Sequence, residues 1–235
     1  EDLTKKGYLQ ESHSKSLNLS GNFVISYNQP IGDNSLLTVN LGGDIYKDDS
    51  KSQSFTGTGF LKPELHSPQY ASTYQENSHP GGSQQLTTRA GFFAYLNFIL
   101  HNKYFVDGTI RRSGSSQFGS NNRYAPFWSV GAGLNIHNYP FMKRQTLFSQ
   151  FKIRGSYGQI GKVNFPAYAA KNTYQILSDK YGTGAGVLLY YMGNENLKWE
   201  RTNTFDIGTD ISLLNDAVLF RFSWYNKKTV DLITD

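Results

Sequence analysis

The stretch YFVDGTIRRSGSSQFGSNNRYAPFWSVGAG, Tyr104 to Gly133, decides how the chain is to be understood. Bulky residues fall at Tyr104, Val106 and Ile110. Beyond a Gly/Ser/Asn-rich connector they resume at Trp128, Val130, Leu134 and Ile136, while Asp107, Thr109, Arg111, Ser129 and Asn135 take the alternate positions. A period of two marks β-strands. In a soluble sandwich the apolar face would point into a protein core; in an outer-membrane barrel it points to lipid and the polar face to a wet lumen.

Working outward, the alternation recurs. Leu17, Leu19, Phe23, Ile25 and Tyr27 alternate with Asn and Ser, the turn residues Gln29 to Asn34 follow, and Leu37, Val39, Leu41 and Ile45 resume the pattern. A third strand is expected from about Leu86 to Ile99, a sixth over Phe148 to Gly158, a seventh over Phe205 to Leu213 and an eighth around Phe220 to Tyr225. Residues 1–13 are unpatterned and are expected to form a loop. The connections run short, long, short, medium, short, long, short, the long ones falling at about 48–85 and 159–198. Outer-membrane barrels sort their loops in this way, with the short turns periplasmic and the long loops extracellular, whereas a Greek-key sandwich has no reason to. Asp107, Arg111, Lys152, Arg154, Asp206, Asp210 and Arg221 sit at mid-strand polar positions, more charge than a soluble core buries, and are expected to face a lumen. Tyr46, Tyr104, Trp128 and Trp224 are expected to form the aromatic girdles at the membrane interface.

Composition agrees. The 235 residues are 38% hydrophobic and 17% charged, which excludes global disorder. The longest apolar run, Val187 to Met192, is far short of the ~20 residues a spanning helix requires. Sixteen Tyr, 16 Phe and 23 Gly suit strands that are greasy on one face. The absence of Cys excludes disulfides and thiolate sites. A net charge of +5 is scattered rather than striped, so nucleic acid is not expected as a partner. The chain opens at Glu1 without an export signal, as an internal or processed piece would.

Several blocks then carry a resemblance. Arg111 to Gly119 (RRSGSSQFG), Asn122-Arg123-Tyr124 with Phe127 to Gly133, Arg154 to Gly161 (RGSYGQIG), Gly193 to Thr202 (GNENLKWERT) and Trp224 to Leu232 (WYNKKTVDL) resemble, in order, the barrel signature of SusC/RagA-type TonB-dependent outer-membrane transporters. Ser113 stands where that family usually has Asp, and Trp128 where it has Pro. The resemblance implies an all-β, antiparallel transmembrane barrel section, a single partial domain over 1–235 with about eight strands of a barrel of about 22. It also implies a location in the cell outer membrane of a Gram-negative, Bacteroidetes-type cell, active import of oligosaccharide or peptide nutrients, and a SusD-like lipoprotein lid. Energy would come from TonB through a plug domain that has no counterpart here. The alternatives are a SusC-like accessory subunit of a larger envelope complex, a freestanding small barrel and a soluble β-domain enzyme.

No catalytic constellation, cofactor motif or metal-ligand spacing is expected. The Ser113–Gly119 loop lacks the following helix of a phosphate cradle and reads as scaffold. The GTGAG at Gly182 lacks a strand-to-helix frame. His13, His66, His79, His101 and His137 are scattered. Asp206 and Asp210, four residues apart on a strand, lie ~13 Å from each other, too far for paired acid/base work. Tyr70, Tyr74, Tyr168, Tyr174 and Tyr181, spaced through the long loops, are the candidate contacts for a glycan or peptide ligand or for a lid protein.

Overall fold

The computed structural model describes residues 7–62, 64–65, 67–74, 81–181 and 184–232, the side chains of 74, 178–181 and 184–185 excepted. Eleven strands form in chain order: β1 (Tyr8–Ile31), β2 (Ser35–Thr58), β3 (Thr73–Tyr74), β4 (Gly81–Leu100), β5 (Tyr104–Ser115), β6 (Tyr124–Asn135), β7 (Phe148–Lys162), β8 (Thr173–Tyr181), β9 (Gly184–Tyr191), β10 (Glu200–Leu213) and β11 (Val218–Val230). Eight make an antiparallel meander in the order β1-β2-β4-β5-β6-β7-β10-β11, with β3 bridging to β2, and β8-β9 forms a separate hairpin. The sheet does not close, since β1 and β11 lie at its two ends. This is a section of barrel wall.

Register converts the period of two into two continuous faces. Phe23, Gly43, Phe92 and Arg112 form one cross-strand row, and Ile25, Leu41, Ala94, Ile110 and Trp128 the next. Ile25, Ile45, Phe92 and Ile110 are each about two-thirds exposed, at 65%, 65%, 66% and 67%. Water does not tolerate an apolar band of this size on a monomer; a bilayer does.

Four expectations are corrected. Residues 8–13 belong to β1, and residues 48–58 and 81–85 belong to β2 and β4, so the connection expected over 48–85 shrinks to 59–80. The segment expected as loop over 159–198 contains the end of β7 and the β8-β9 hairpin. At 24 residues, β1 and β2 run about 80 Å, against the roughly 10 residues that cross a bilayer. Their projecting halves are wet on both faces, so the apolar alternation disappears while the backbone ladder continues. Hydroxyl pairs line that extension, Ser14 with Ser52 (3.3 Å) and Ser16 with Ser50 (3.1 Å). Tyr46 is the fourth correction: it faces the polar side with Asp44, its hydroxyl donates to Asn18 Oδ1 (3.3 Å) and Arg89 lies over its ring. A shift of one position along a strand changes the face, and Ile45 takes the apolar side. Tyr104, Trp128 and Trp224 are on the apolar face and exposed.

Connections at one end are 32–34, 101–103, 136–147 and 214–217; at the other they are 59–80, 116–123 and 163–199. The 101–103 turn uses positive φ at His101 (52°) and Asn102 (55°), the conformation that matches strand twist in a tight hairpin. Adjacent turns are stitched by Asn102 N–H to Asn34 O (2.8 Å) and Asn138 Nδ2 to Asn102 O (2.7 Å).

The buried apolar cluster sits at the long-loop end. Phe118, Ala125, Phe127 and Trp199 form it, with Val163, Phe165 and Leu197 packed around. Phe118 stacks on Trp199 at 4.6 Å and meets Phe165 edge-on at 4.9 Å; Trp199 Nε1 donates to Asn122 O (3.2 Å). Gln117 Nε2 donates to Phe165 O (2.8 Å). A Cβ at Gly119 would strike the Glu195 backbone, so this close approach requires glycine.

In the full-length parent protein, Trp199→Ala is expected to lower stability by about 3–5 kcal/mol, measured as a urea midpoint in detergent. Ile110→Arg, near mid-height on the apolar face, is expected to cost about 2–4 kcal/mol for insertion into liposomes, while Thr109→Arg on the polar face leaves insertion nearly unchanged.

Candidate functional site

The polar face holds the seven charged residues singled out in the sequence, and register divides them into two groups. Lys152, Arg154, Asp206, Asp210 and Arg221 gather across β7, β10 and β11, because Lys152 pairs with Asp210 and Asp210 with Arg221. Arg154 Nη1 donates to Asp206 Oδ1 at 2.8 Å and Nη2 to Ser223 Oγ at 2.6 Å, while its Nε lies 3.9 Å from Asp210. Arg221 Nε is also 3.9 Å from Asp210. The two carboxylates that strand spacing separates are thus tied through one guanidinium, which makes an ion-pair ladder rather than an acid/base pair.

Asp107 and Arg111 belong to the second group. Arg111 reaches over β4 to Asp44 of β2 at 2.6 Å and its Nε donates to Ser113 Oγ (2.8 Å). The crossing is open because residue 91 is glycine: a Cβ there would meet the Arg111 guanidinium. Asp107 lies over Gly131 in the same way, 2.7 Å from where a Cβ would sit. Asp44 was visible in the sequence as a polar-face residue but not as a partner, since its mate lies 67 positions away and two strands over. Lys152 Nζ sits 4.2 Å from the centre of the Phe105 ring.

Partly exposed pairs of this kind contribute about 0–1 kcal/mol each. Their effect is on the surface itself, where Arg111 and Arg154 each lie against an aspartate. Among the described residues no group of three or more His, Asp or Glu could hold a metal ion.

The three loop tyrosines whose side chains are described, Tyr70, Tyr168 and Tyr174, lie on different elements. Tyr168 has positive φ (71°), and its hydroxyl accepts the Leu86 N–H at 3.2 Å, which pins the 163–172 connection to β4. Tyr70 ends a 3-10 turn and is exposed, and Tyr174 lies exposed on β8. The side chains of Tyr74 and Tyr181 lie outside the described residues, as do His66, His79 and the Gly182-Thr183 start of GTGAG. What the local pattern did not announce is the β8-β9 hairpin, where Ile176, Val187, Leu188 and Tyr190 are all exposed. The apolar run Val187–Met192 was its signal. At the opposite end, a hydrogen bond with Tyr104 raises the Tyr139 phenol above its ordinary pKa.

Comparison with known proteins follows the same lines. Residues 3–235 match the family described as TonB dependent receptor-like, beta-barrel. A TonB-dependent receptor of Formosa agariphila is 30% identical over 223 residues, covering 92% of this chain and 21% of that protein. The TonB-dependent receptor SusC of Bacteroides thetaiotaomicron is 29% identical over 231 residues, with 92% and 21% covered. The structure of the RagAB peptide transporter superposes with a TM-score of 0.87 at 23% identity, covering 94% of this chain and 24% of that one, a likeness of fold. The chain therefore spans about a fifth of the length of these curated relatives. They are named as receptors and the solved neighbour as a transporter, none as an enzyme. An unclosed meander, apolar on one side and ion-paired on the other, is what one segment of such a wall requires, and by its match over nearly its whole length this chain belongs to the TonB-dependent receptor-like β-barrel family of outer-membrane proteins.

Proposed function

We propose that these residues form part of the barrel wall of a SusC-like importer that carries oligosaccharide or peptide nutrients across the outer membrane, driven by TonB through a plug domain elsewhere in the polypeptide. The observation that carries this is the pairing of Arg111 with Asp44 and of Arg154 with Asp206 on the face opposite the exposed apolar band. A wall of that kind suits a water-filled lumen and passage of uncharged or zwitterionic cargo without capture. The seven charged residues are its lumen side, and the long connections are extracellular.

The lid reading gains support from the β8-β9 hairpin. Two strands alone are marginal in water, and this pair leaves apolar side chains exposed on both faces. A SusD-like lipoprotein seated there would cover them, with Tyr70 and Tyr174 beside the ligand path; Tyr168 serves the scaffold instead.

Deletion of the parent gene is expected to abolish uptake of one labelled nutrient class, oligosaccharide or peptide, and dissipation of the proton-motive force to stop it in the wild type. Unchanged uptake of both classes would favour the accessory-subunit reading. Replacing residues 173–191 of the full-length protein by a Gly/Ser linker is expected to abolish co-purification of the lid protein while the barrel keeps its heat-modifiable migration. Arg154→Glu, which sets a third carboxylate beside Asp206 and Asp210, is expected to lower uptake several-fold with migration unchanged.

A further inference from the structure

The apolar face carries an open furrow beside the short connections at the start of β5 and the end of β6. Val106, Ala132, Gly155 and Ile207 form one cross-strand row over β5, β6, β7 and β10, each the register partner of the next. Tyr104, Leu134 and Ile153 form the neighbouring row toward the short connections. On the polar face Gly91, Gly133 and Gly208 lie under the side chains of Arg111, Phe105 and Arg154. Gly155 is uncovered: no side chain from another strand comes within 4 Å of where its Cβ would stand, and only Asp206 O does, at 3.8 Å. Gly155 and the exposed Ala132 thus floor a furrow of about 330 Å³, walled by Val106 and Ile207 and by Leu134 and Ile153.

Two lysines are fastened at the Tyr104 end of this furrow. Lys103 precedes Tyr104, and its Nζ lies 5.1 Å from the centre of the Tyr139 ring, which meets the Tyr104 ring edge-on at 6.2 Å. Lys143 is tied to the same residue, its backbone N–H donating to Tyr139 O at 3.3 Å. Neither lysine has a carboxylate partner among the described residues, Asp33 and Asp216 of the other short connections included. Arg111, Arg154 and Arg221 on the polar face, by contrast, lie against aspartates. The 136–147 connection that carries Lys143 is the longest at its end of the sheet. Two 3-10 turns and the Gln145 amide, which donates to Met142 O and Phe148 O, hold its shape. It presents Phe141, 64% exposed, with its ring 5.8 Å from that of Tyr139.

We propose that the furrow takes one acyl chain of an anionic diacyl phospholipid and that Lys103 and Lys143 hold its phosphate. The apolar walls match a hydrocarbon chain, and two ammonium groups without carboxylates match phosphate oxygens. An ammonium has three donors, so Lys103 can rest on the Tyr139 ring and still donate to phosphate. Charge also selects the headgroup: an ethanolamine would set a third ammonium beside the two lysines, whereas a glycerol adds no cation. Assignment of the lipid to the periplasmic leaflet rests on the proposed extracellular placement of the long connections; the match of furrow and charge does not depend on cargo.

The test uses the delipidated full-length protein in detergent and native mass spectrometry with phosphatidylglycerol, phosphatidylethanolamine or lipid A added. The wild type is expected to retain phosphatidylglycerol about tenfold more strongly than phosphatidylethanolamine. The double variant Lys103→Gln, Lys143→Gln is expected to weaken phosphatidylglycerol about thirtyfold, at about one kcal/mol per lysine. Removing the same charge at the long-loop end, with Lys47→Gln and Lys51→Gln, is expected to leave it unchanged. Gly155→Leu, which fills the floor where space is free, is expected to weaken both phospholipids about tenfold and to keep the preference between them. Equal retention of the two phospholipids by the wild type would overturn the proposal. So would equal losses in the two lysine pairs, or lipid A retention that Gly155→Leu removes. The headgroup comparison is made on the wild type and stands whether or not a variant folds. Retention in detergent is independent of which side the short connections face, and nutrient uptake, assayed separately, reports on the transport reading alone.

Discussion

Pairing of every backbone N–H and C=O is the constraint on which the rest of this structure depends. In hydrocarbon no water substitutes for a missing partner, so a spanning sheet is continuous from strand to strand or it does not span. The ladder here is unbroken from β1 to β11, and its two terminal strands are the places where further wall must attach. Once the ladder is set, the side chains have no freedom in which face they occupy. Register decides that Ile45 faces out and Tyr46 faces in, although the two are adjacent in sequence.

Glycine has a particular role on such a sheet. Long side chains on a wall need somewhere to lie down, and on the polar face they cross the strand next to them. Arg111 passes over Gly91 to reach Asp44, and Arg154 lies over Gly208 on its way to Asp206 and Ser223. The ion pairs are weak as stabilisers, but they hold the guanidinium groups flat and leave the surface smooth. On the apolar face Gly114 likewise makes room for the Tyr124 ring.

At the long-loop end the wall gains what its faces lack, an interior. Phe118, Phe127, Phe165 and Trp199 come from a hairpin loop, a strand and two flanks of a long connection, and they meet in one knot closed by Gln117 and Asn122. The sequence blocks around Phe118, Phe127 and Trp199, which carried the family resemblance, are neighbours in space. Their glycines, Gly119 against Glu195 and Gly161 against Phe127, mark where two backbones or a backbone and a ring approach too closely for a side chain. The loop after Arg112 is therefore scaffold, and the exposed hairpin beside it is what an external partner would meet.

The amino-acid sequence by itself determined the strand count of the wall, the two faces and the sorting of short and long connections. A period of two is a local property that survives without knowledge of the partners. It failed where that period carries no contrast: the Ser-rich ends of β1 and β2 are polar on both sides, and the β8-β9 hairpin is apolar on both, so neither announced itself as strand. Only the tertiary structure decided which charges are neighbours. Asp44 and Arg111 are 67 positions apart, and Phe118 and Trp199 are 81 apart, joined by registers accumulated over several strands. Contacts of that kind depend on the sum of all the turns between them, which no local pattern records.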